Sequence, residues 1–332
     1  MRISGSLDIR LIQCNENSMA NRISVVFICQ KGELEIKAAI LAASLRNILG
    51  NKISLYCSIP QIPGLETVPG KDTIDFLESL KVQWQLFENP LMADVTGPLS
   101  GLQFSNKLFC IPANLEAGRV IFLDSDILCI KKPLLFDNFK SDFTVCQAFK
   151  SLDLNWNKIY SKTGIAEPKL RVKSILDGKI GYPYFNSGYF SVNTHQINNL
   201  LKVWRNLFLE IRGILEDEKH LFHSDQIALS LAVQKLDLGY LVLPENYNFP
   251  SGSLLARKEV YFAHYHGPEK IHRDPLLYRQ TMHLSARFDE IGNIAARYKY
   301  WKNMIAGSNT PTSSYLIYKL KKAMRKMHSK LS

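Results

Sequence analysis

Several sequence features are scarce or missing in this chain of 332 residues, and each absence excludes a class of protein. None of its six cysteines stands in a Cys-x-x-Cys pair, which argues against a zinc site and against a disulfide framework. No apolar run is long enough to cross a bilayer, and residues 1–22 lack the apolar stretch of a signal peptide. Glycosylation sequences of the type Asn-x-Ser/Thr are also absent. We therefore expect a cytoplasmic protein with reduced cysteines.

The net charge of +11 is concentrated at one end of the chain. Residues 315–332 carry six lysines and arginines and no acid, which leaves +5 for the other residues. A protein that binds nucleic acid usually spreads its basic residues over a folded face, so we expect no nucleic-acid partner. On a helix, residues 315–332 would have one apolar and one basic face, as in helices that lie on an anionic membrane surface. That interpretation implies a peripheral protein on the inner face of the cell membrane, and the alternative is a solvated or disordered basic end.

Strand-like and helical segments alternate along the first half of the chain, which predicts an α/β fold with a mostly parallel sheet. Strand-like runs cover residues 23–29, 53–57, 82–87, 118–123, 184–192 and 238–243. Helical spacing covers residues 32–49, 73–80, 105–116, 200–215, 224–235 and 276–306. Residues 151–182 read as loops or a small insertion. The predicted divisions are a lead-in (1–22), a main domain (23–275), a helical extension (276–307), and a linker with the basic tail (308–332).

Two acids interrupt an apolar run in the middle of the chain. Asp124 and Asp126 follow four apolar residues, 120–123, in a stretch with the character of a buried strand. Buried carboxylates are unfavourable unless a cation compensates them. Alternate residues of an extended chain point the same way, so both carboxylates can reach one Mn²⁺ or Mg²⁺ ion. Such a triplet also occurs in plain turns, but its position at the end of a strand favours a site for a nucleotide-sugar diphosphate.

Two further polar stretches lie where apolar residues are expected. Asn186, Ser187 and Gly188 fall in a strand-like run, where amides and hydroxyls need partners and a glycine allows close approach. Sugar hydroxyls are suitable partners, although a turn entering the strand is the alternative. Asp225 and Gln226 follow Ser224 at the predicted start of a helix. There they either complete the first turn of that helix or project into a site.

The last polar stretch is His264-Tyr265-His266-Gly267-Pro268-Glu269-Lys270. A neutral imidazole such as that of His264 can complete a Mn²⁺ shell that two carboxylates begin. Gly267 opens the backbone, and Lys270 is placed to meet phosphate oxygens. A single histidine is more often structural, but the spacing His-x-x-Gly-x-x-Lys is more specific.

In this order, the four stretches resemble the motifs of the retaining glycosyltransferases of family 8, which include glycogenin and bacterial lipooligosaccharide galactosyltransferases. The resemblance covers residues 23–272 and includes Lys107, a basic residue at the family's interval before the acid pair. It implies a fold of GT-A type, with a Rossmann-like, mixed but mostly parallel sheet flanked by helices. The helical spacing of residues 276–306 adds a C-terminal helical extension.

The resemblance also implies roles for the matching residues. The metal ligands would be Asp124, Asp126 and His264. The residues that hold the donor would be Lys107, Ser125, Asn186, Ser187, Gly188, Gly267 and Lys270. Within that set, Ser125 would lie against the ribose, and residues 186–188 would line the sugar pocket. Asp225 and Gln226 would lie at the reacting centre.

Two segments depart from the family pattern. The family's first strand ends in an acidic residue and an aromatic residue that grip uracil, whereas this chain has Phe27-Ile28-Cys29-Gln30-Lys31-Gly32-Glu33 there. Ile271-His272 replaces a Pro-Trp pair. We expect a metal-dependent hexosyltransferase that uses a nucleotide-diphosphate sugar such as a UDP-sugar, a glycan or lipid-linked acceptor, and retention. One alternative is a metal-dependent nucleotidyltransferase, although no glycine-rich phosphate loop stands near the N-terminus. The other is a non-catalytic protein of the same fold that binds sugar or membrane.

Overall fold

The computed structural model of the chain describes residues 22–92, 101–113, 115–137, 139, 141–215, 218–251 and 259–306. The predicted lead-in, linker and basic tail helix lie outside these ranges, apart from Arg22. Within them, no helix combines the length and the apolar composition needed to cross a bilayer.

A seven-stranded sheet forms the centre of the described structure. The described strands are β1 (Ile23–Ile28), β2 (Ser54–Gln61), β3 (Val82–Glu88), β4 (Arg119–Leu123), β5 (Ile127–Cys129), β6 (Phe143–Gln147), β7 (Val172–Lys173), β8 (Ile180–Gly181), β9 (Phe185–Asn193), β10 (Tyr240–Leu243), β11 (Phe249–Pro250) and β12 (Phe262–His264). The order in the central sheet is β10-β6-β9-β4-β1-β2-β3. Strand β9 runs antiparallel to β4 and β6, whereas the other pairs are parallel. The predicted mixed, mostly parallel sheet is therefore confirmed.

Helices cover both faces of this sheet. The described helices are α1 (Glu33–Leu49), α2 (Lys71–Ser79), α3 (Trp156–Thr163), α4 (Thr194–Ile214), α5 (Glu218–Leu221), α6 (Ser224–Lys235), α7 (Pro268–Arg273), α8 (Pro275–Arg287), α9 (Asp289–Ala295) and α10 (Lys299–Ile305). One apolar core contains α1, α2 and α7–α10, and the other contains α3, α4 and α6. Alternate residues of β1 enter the two cores, Val25 and Phe27 on one side and Val26 and Ile28 on the other. Burial on both faces explains why this strand is an uninterrupted apolar run.

The structure corrects two of the predicted helices. Residues 105–116 do not form an α-helix: Leu102–Leu108 is a 3₁₀ helix, and the described residues between it and β4 are not helical. Pro112 lacks an N–H and restricts the residue before it, which prevents a helix from passing through this segment. The predicted helix over residues 276–306 is divided into α8, α9 and α10 by Phe288 and Tyr298, whose backbones are extended.

A small second sheet brings the last motif of the chain next to the paired acids. In it, β12 runs parallel to β11 and antiparallel to β5, so that His264 pairs with Ile127. On the other side of the acids, the N–H of Asp124 donates to the carbonyl of Gly188 at 2.8 Å. Three stretches that are distant in sequence therefore meet at the carboxyl end of β4, where ligands bind in open α/β sheets.

Candidate active site

Asp124, Ser125 and Asp126 form a turn between β4 and β5 rather than an extended strand. The N–H of Ile127 donates to the carbonyl of Asp124 at 3.1 Å, so the predicted alternation of the two carboxylates along an extended chain is wrong. Aspartate and serine favour turns because their short polar side chains bond to nearby backbone groups. The Ser125 hydroxyl donates to the carbonyl of Ile28, which ties the turn to the end of β1. As a result, the two carboxylates have different neighbours.

Lys107 joins three of the predicted motifs. Its ammonium nitrogen lies 2.9 Å from the carboxylate of Asp124 and donates to the Ser187 hydroxyl at 3.0 Å. The same nitrogen is 3.5 Å from Oδ2 of Asp225. Burial by itself would lower the pKa of Lys107, but Asp124 and Asp225 raise it to about 12, so the side chain stays charged. Lys107 therefore contacts both Asp124, which the sequence predicted as a metal ligand, and Asp225, which it predicted at the reacting centre.

The carboxylate of Asp225 is buried, and only one of its two oxygens has a hydrogen-bond partner. Its Oδ2 accepts a hydrogen bond of 2.5 Å from the Ser187 hydroxyl, whereas Oδ1 has no partner among the described residues. The backbone of this residue is held in place, since the indole N–H of Trp204 donates to the Asp225 carbonyl at 2.8 Å. A buried acceptor without a partner is unfavourable. Oδ1 is therefore a buried acceptor that no group of the described residues satisfies.

A second cluster forms around Asp126. Its Oδ1 lies 3.0 Å from Nε2 of His264, and its Oδ2 lies 4.0 Å from Nδ1 of His266. The ammonium of Lys37, in α1, is 3.6 Å from the same Oδ2. Burial opposes ionisation of Asp126, but attraction to His264 and Lys37 is stronger and holds the pKa of Asp126 well below its usual range. The carboxylate is therefore ionised and lies between two imidazoles.

Asn248 sets the orientation of the His264 ring. Its Oδ1 lies 3.1 Å from Nδ1 of His264, and Nε2 of the same ring faces the Asp126 carboxylate at 3.0 Å. The donor set of one carboxylate and one oriented imidazole therefore fits a divalent transition metal.

The two clusters meet at Gly188. A Cβ at this position would lie 2.7 Å from Oδ2 of Asp124, 2.8 Å from Oδ1 of Asn186 and 2.9 Å from Cε1 of His264. The absence of a side chain allows all three groups to approach β9, as the sequence predicted for close approach. The amide oxygen of Asn186 is already used locally, since it accepts from the N–H of Gly188 at 2.8 Å.

The other predicted residues lie around these clusters. Gly267 precedes α7, and the carboxylate of Glu269 folds over it. Lys270 is partly exposed in α7. Gln226 is partly exposed in the first turn of α6, where its carbonyl accepts from the Ser230 hydroxyl at 2.8 Å. The structure brings Asp225 against Lys107, whereas no contact joins Lys270 to the acids among the described residues.

Sequence reasoning missed Lys37, Asn248 and His266. Lys37 had a signal, because it is the one charge in the apolar run of residues 36–45. His266 also had one, since it stands two residues after His264 in the same polar stretch. No sequence signal pointed to Asn248. This residue comes close to His264 only because β11 pairs with β12.

Comparisons with known proteins agree with this fold. A family model described as "Rhodobacterales glycosyltransferase domain" matches residues 25–237. A crystal structure of an active-site mutant of LgtC has a TM-score of 0.50 and 13% identity, covering 80% of this chain and 95% of that one. A structure of galactosyltransferase LgtC with donor and acceptor sugar analogs has a TM-score of 0.48 and 12% identity, covering 85% and 99% respectively. No curated protein sequence matches the chain.

Proposed function

The chain belongs to the Rhodobacterales glycosyltransferase domain family, and we propose that it transfers a hexose from a UDP-sugar or related nucleotide-diphosphate sugar, with a divalent cation. The acceptor in this proposal is a glycan or a lipid-linked saccharide, and the anomeric configuration is retained. Membership in this family disfavours the nucleotidyltransferase and non-catalytic alternatives. The matched range ends before β12, so the role of His264 depends on the site geometry alone.

The observation that carries the cation proposal is the distance of 3.0 Å between Oδ1 of Asp126 and the Nε2 of His264, whose Nδ1 faces Asn248. Asp124 lies on the same side of β9, since both its carboxylate and the His264 ring approach Gly188. These three residues would hold Mn²⁺ or Mg²⁺. When bound, the cation supplies Lewis-acid stabilisation of the departing diphosphate.

The chain's own residues supply binding and orientation. Lys107 holds the carboxylates of Asp124 and Asp225 in place, because its ammonium lies between them. Asp225, held by Lys107 and Ser187, would lie at the reacting centre beside the transferred sugar. Gln226, in the next position of α6, would orient the same sugar, and Lys270 would bind diphosphate oxygens.

A cleft beside the cation cluster provides space for the donor. It measures about 800 Å³ and its lining includes Glu33, His266, Gly267 and Tyr300. Sites for small molecules and cofactors are typically clefts of about 300–1,000 Å³, so the size suits a nucleotide sugar. Tyr300 is an exposed aromatic ring on the wall and is available to stack on a base.

Release of the nucleotide from a panel of nucleotide sugars, with and without Mn²⁺, tests the proposal. We expect slow Mn²⁺-dependent release from one UDP-hexose, and a loss of about a hundredfold or more in Asp126→Asn, the scale seen when one electrostatic group is removed. Asp225→Asn should bind the donor normally and lose turnover. Asp75→Asn, an exposed acid paired with Lys71, is the matched control and should keep full activity. Equal release by Asp126→Asn and the parent protein would refute the assignment of the site.

A further inference from the structure

Three potential metal-ligating residues converge at one point of the structure. One donor atom each from Asp126, His264 and His266 lies within 4.8 Å of the other two. The resemblance to family 8 implied His264 as the imidazole ligand and assigned no role to His266. The two rings nevertheless face different oxygens of the same carboxylate, the buried His264 ring at 3.0 Å and the half-exposed His266 ring at 4.0 Å.

The position of the His266 ring is determined by several contacts. Tyr265, between the two histidines, is fully buried in the apolar core, whereas both histidine rings lie against Asp126. The two rings lie 4.0 Å apart between centroids, and Phe149 packs edge-on against both. The carbonyl of His266 accepts from the ammonium of Lys37 at 2.7 Å.

The backbone of His266 is also unusual. Its φ of +60° is in the left-handed region, which is uncommon for a residue other than glycine. Strained backbone conformations of this type cluster at binding and catalytic sites, where the surrounding contacts maintain them. Here the hydrogen bond from Lys37 and the packing of Phe149 maintain a conformation that turns the imidazole toward Asp126.

We propose that His266 is a ligand of the divalent cation together with Asp126 and His264, so that the site holds its ion through two imidazoles. This inference rests on the cation dependence in the proposed function. Two donor atoms at about 2.1 Å from one ion can be at most about 4.2 Å apart. The two imidazole-to-carboxylate distances, 3.0 Å to Oδ1 and 4.0 Å to Oδ2, satisfy that limit, and one donor atom from each of the three residues lies within 4.8 Å of the other two.

Two imidazoles change the choice of metal. Mg²⁺ prefers oxygen ligands and gives up water reluctantly, whereas affinity for nitrogen-containing sites rises from Mn²⁺ through Co²⁺ toward later metals. The site therefore prefers Mn²⁺ and Co²⁺ to Mg²⁺. Replacing His266 should reduce the difference in affinity between Mn²⁺ and Mg²⁺. Mg²⁺ gains little affinity from the imidazole, so it loses little when the imidazole is removed.

The test counts nitrogen ligands directly. Electron spin-echo modulation of Mn²⁺ bound to the full chain should show two histidine nitrogens in the parent protein and one in His266→Asn. Asparagine tolerates the left-handed backbone, so this variant should keep its fold, which a thermal melt checks. By titration calorimetry, His266→Asn should bind Mn²⁺ at least about tenfold more weakly, a loss typical even of residues outside the ligand shell. His283→Asn, an exposed histidine on α8, is the matched control and should leave both readouts unchanged.

The outcomes separate the two proposals. A single nitrogen that persists in His266→Asn and disappears in His264→Asn would overturn the role of His266 and leave the proposed function intact. Absence of Mn²⁺ binding to the parent protein, with or without donor, would overturn the cation dependence itself. Two nitrogens, one lost in each variant, would support both.

Discussion

At the scale of single residues, the site depends on short contacts that fix the distances between charged groups. Gly188 is the point of closest approach, because Asp124, Asn186 and His264 all lie within 3 Å of the place where a Cβ would stand. This glycine does not have a positive φ, so its role is steric rather than conformational. A methyl group there would displace the acid and the imidazole that we assign to the cation.

We predict that Gly188→Ala weakens Mn²⁺ binding by about tenfold or more and lowers the free energy of unfolding by about 1–3 kcal/mol, as overpacking usually does. Calorimetric titration and urea unfolding measure the two effects. The same substitution at Gly213, near the end of α4, meets no atom within 4 Å and should be neutral or slightly stabilising. Parent-like Mn²⁺ affinity in Gly188→Ala would show that the two clusters do not share a ligand site.

At the scale of secondary-structure elements, one buried carboxylate joins α1 to α2 and to the segment between α9 and α10. Glu35 accepts hydrogen bonds from the Thr73 hydroxyl at 2.6 Å, the Gly70 N–H at 3.0 Å and the Tyr298 hydroxyl at 2.9 Å. Arg297 forms an ion pair with it at 2.9 Å. Burial would raise the pKa of Glu35, but the hydrogen bonds and Arg297 outweigh it and lower the pKa below its usual value.

The sign of this shift predicts a pH dependence. A carboxylate with a lowered pKa in the folded state stabilises the fold above its unfolded pKa of about 4.3, and this contribution is lost as the pH falls through the folded pKa. We expect Glu35→Gln to be about 2 kcal/mol less stable at pH 7, because buried donors lose their charged acceptor. In urea unfolding from pH 7 down to pH 3, the difference from the parent protein should shrink below about pH 4. A difference that stays constant over this range would contradict the role of the ionised carboxylate.

At the scale of the whole molecule, the sheet collects residues from distant parts of the chain at one end. Lys107 reaches Ser187 across 80 residues, and Lys37 reaches the carbonyl of His266 across 229. The antiparallel strand β9 makes this possible, because its insertion between β4 and β6 brings Gly188 beside Asp124. The site therefore forms only when the complete sheet has formed.

The basic tail supports a further prediction at this scale, which tests the expectation from the sequence that residues 315–332 lie on an anionic membrane surface. Each basic residue near an anionic leaflet contributes about 1 kcal/mol, and residues 315–332 carry six of them. Deleting these residues should move the protein from the membrane fraction to the soluble fraction while release of nucleotide from the donor stays unchanged. Fractionation of the deletion variant in low and high salt measures the effect. Unchanged fractionation would contradict the attachment of the protein to a membrane through residues 315–332.

Much of the fold was predictable because burial on two faces produces apolar runs that need no tertiary information. The strands β1, β3 and β9 and the helices α1 and α6 lie close to their predicted positions. The errors arose where local chemistry competes with periodicity. Asp124 to Asp126 form a turn because these side chains favour one, and residues 105–116 do not form an α-helix because Pro112 interrupts them.

The amino-acid sequence by itself determined the α/β class, the order of the polar motifs and the residue types available for chemistry. It does so because alternation and helical spacing depend only on neighbours along the chain. Only the tertiary structure decided which charges meet: Lys107 with Asp124 and Asp225, and His264 and His266 with Asp126. Those partners depend on the order and direction of strands far apart in sequence, and no local pattern specifies that order.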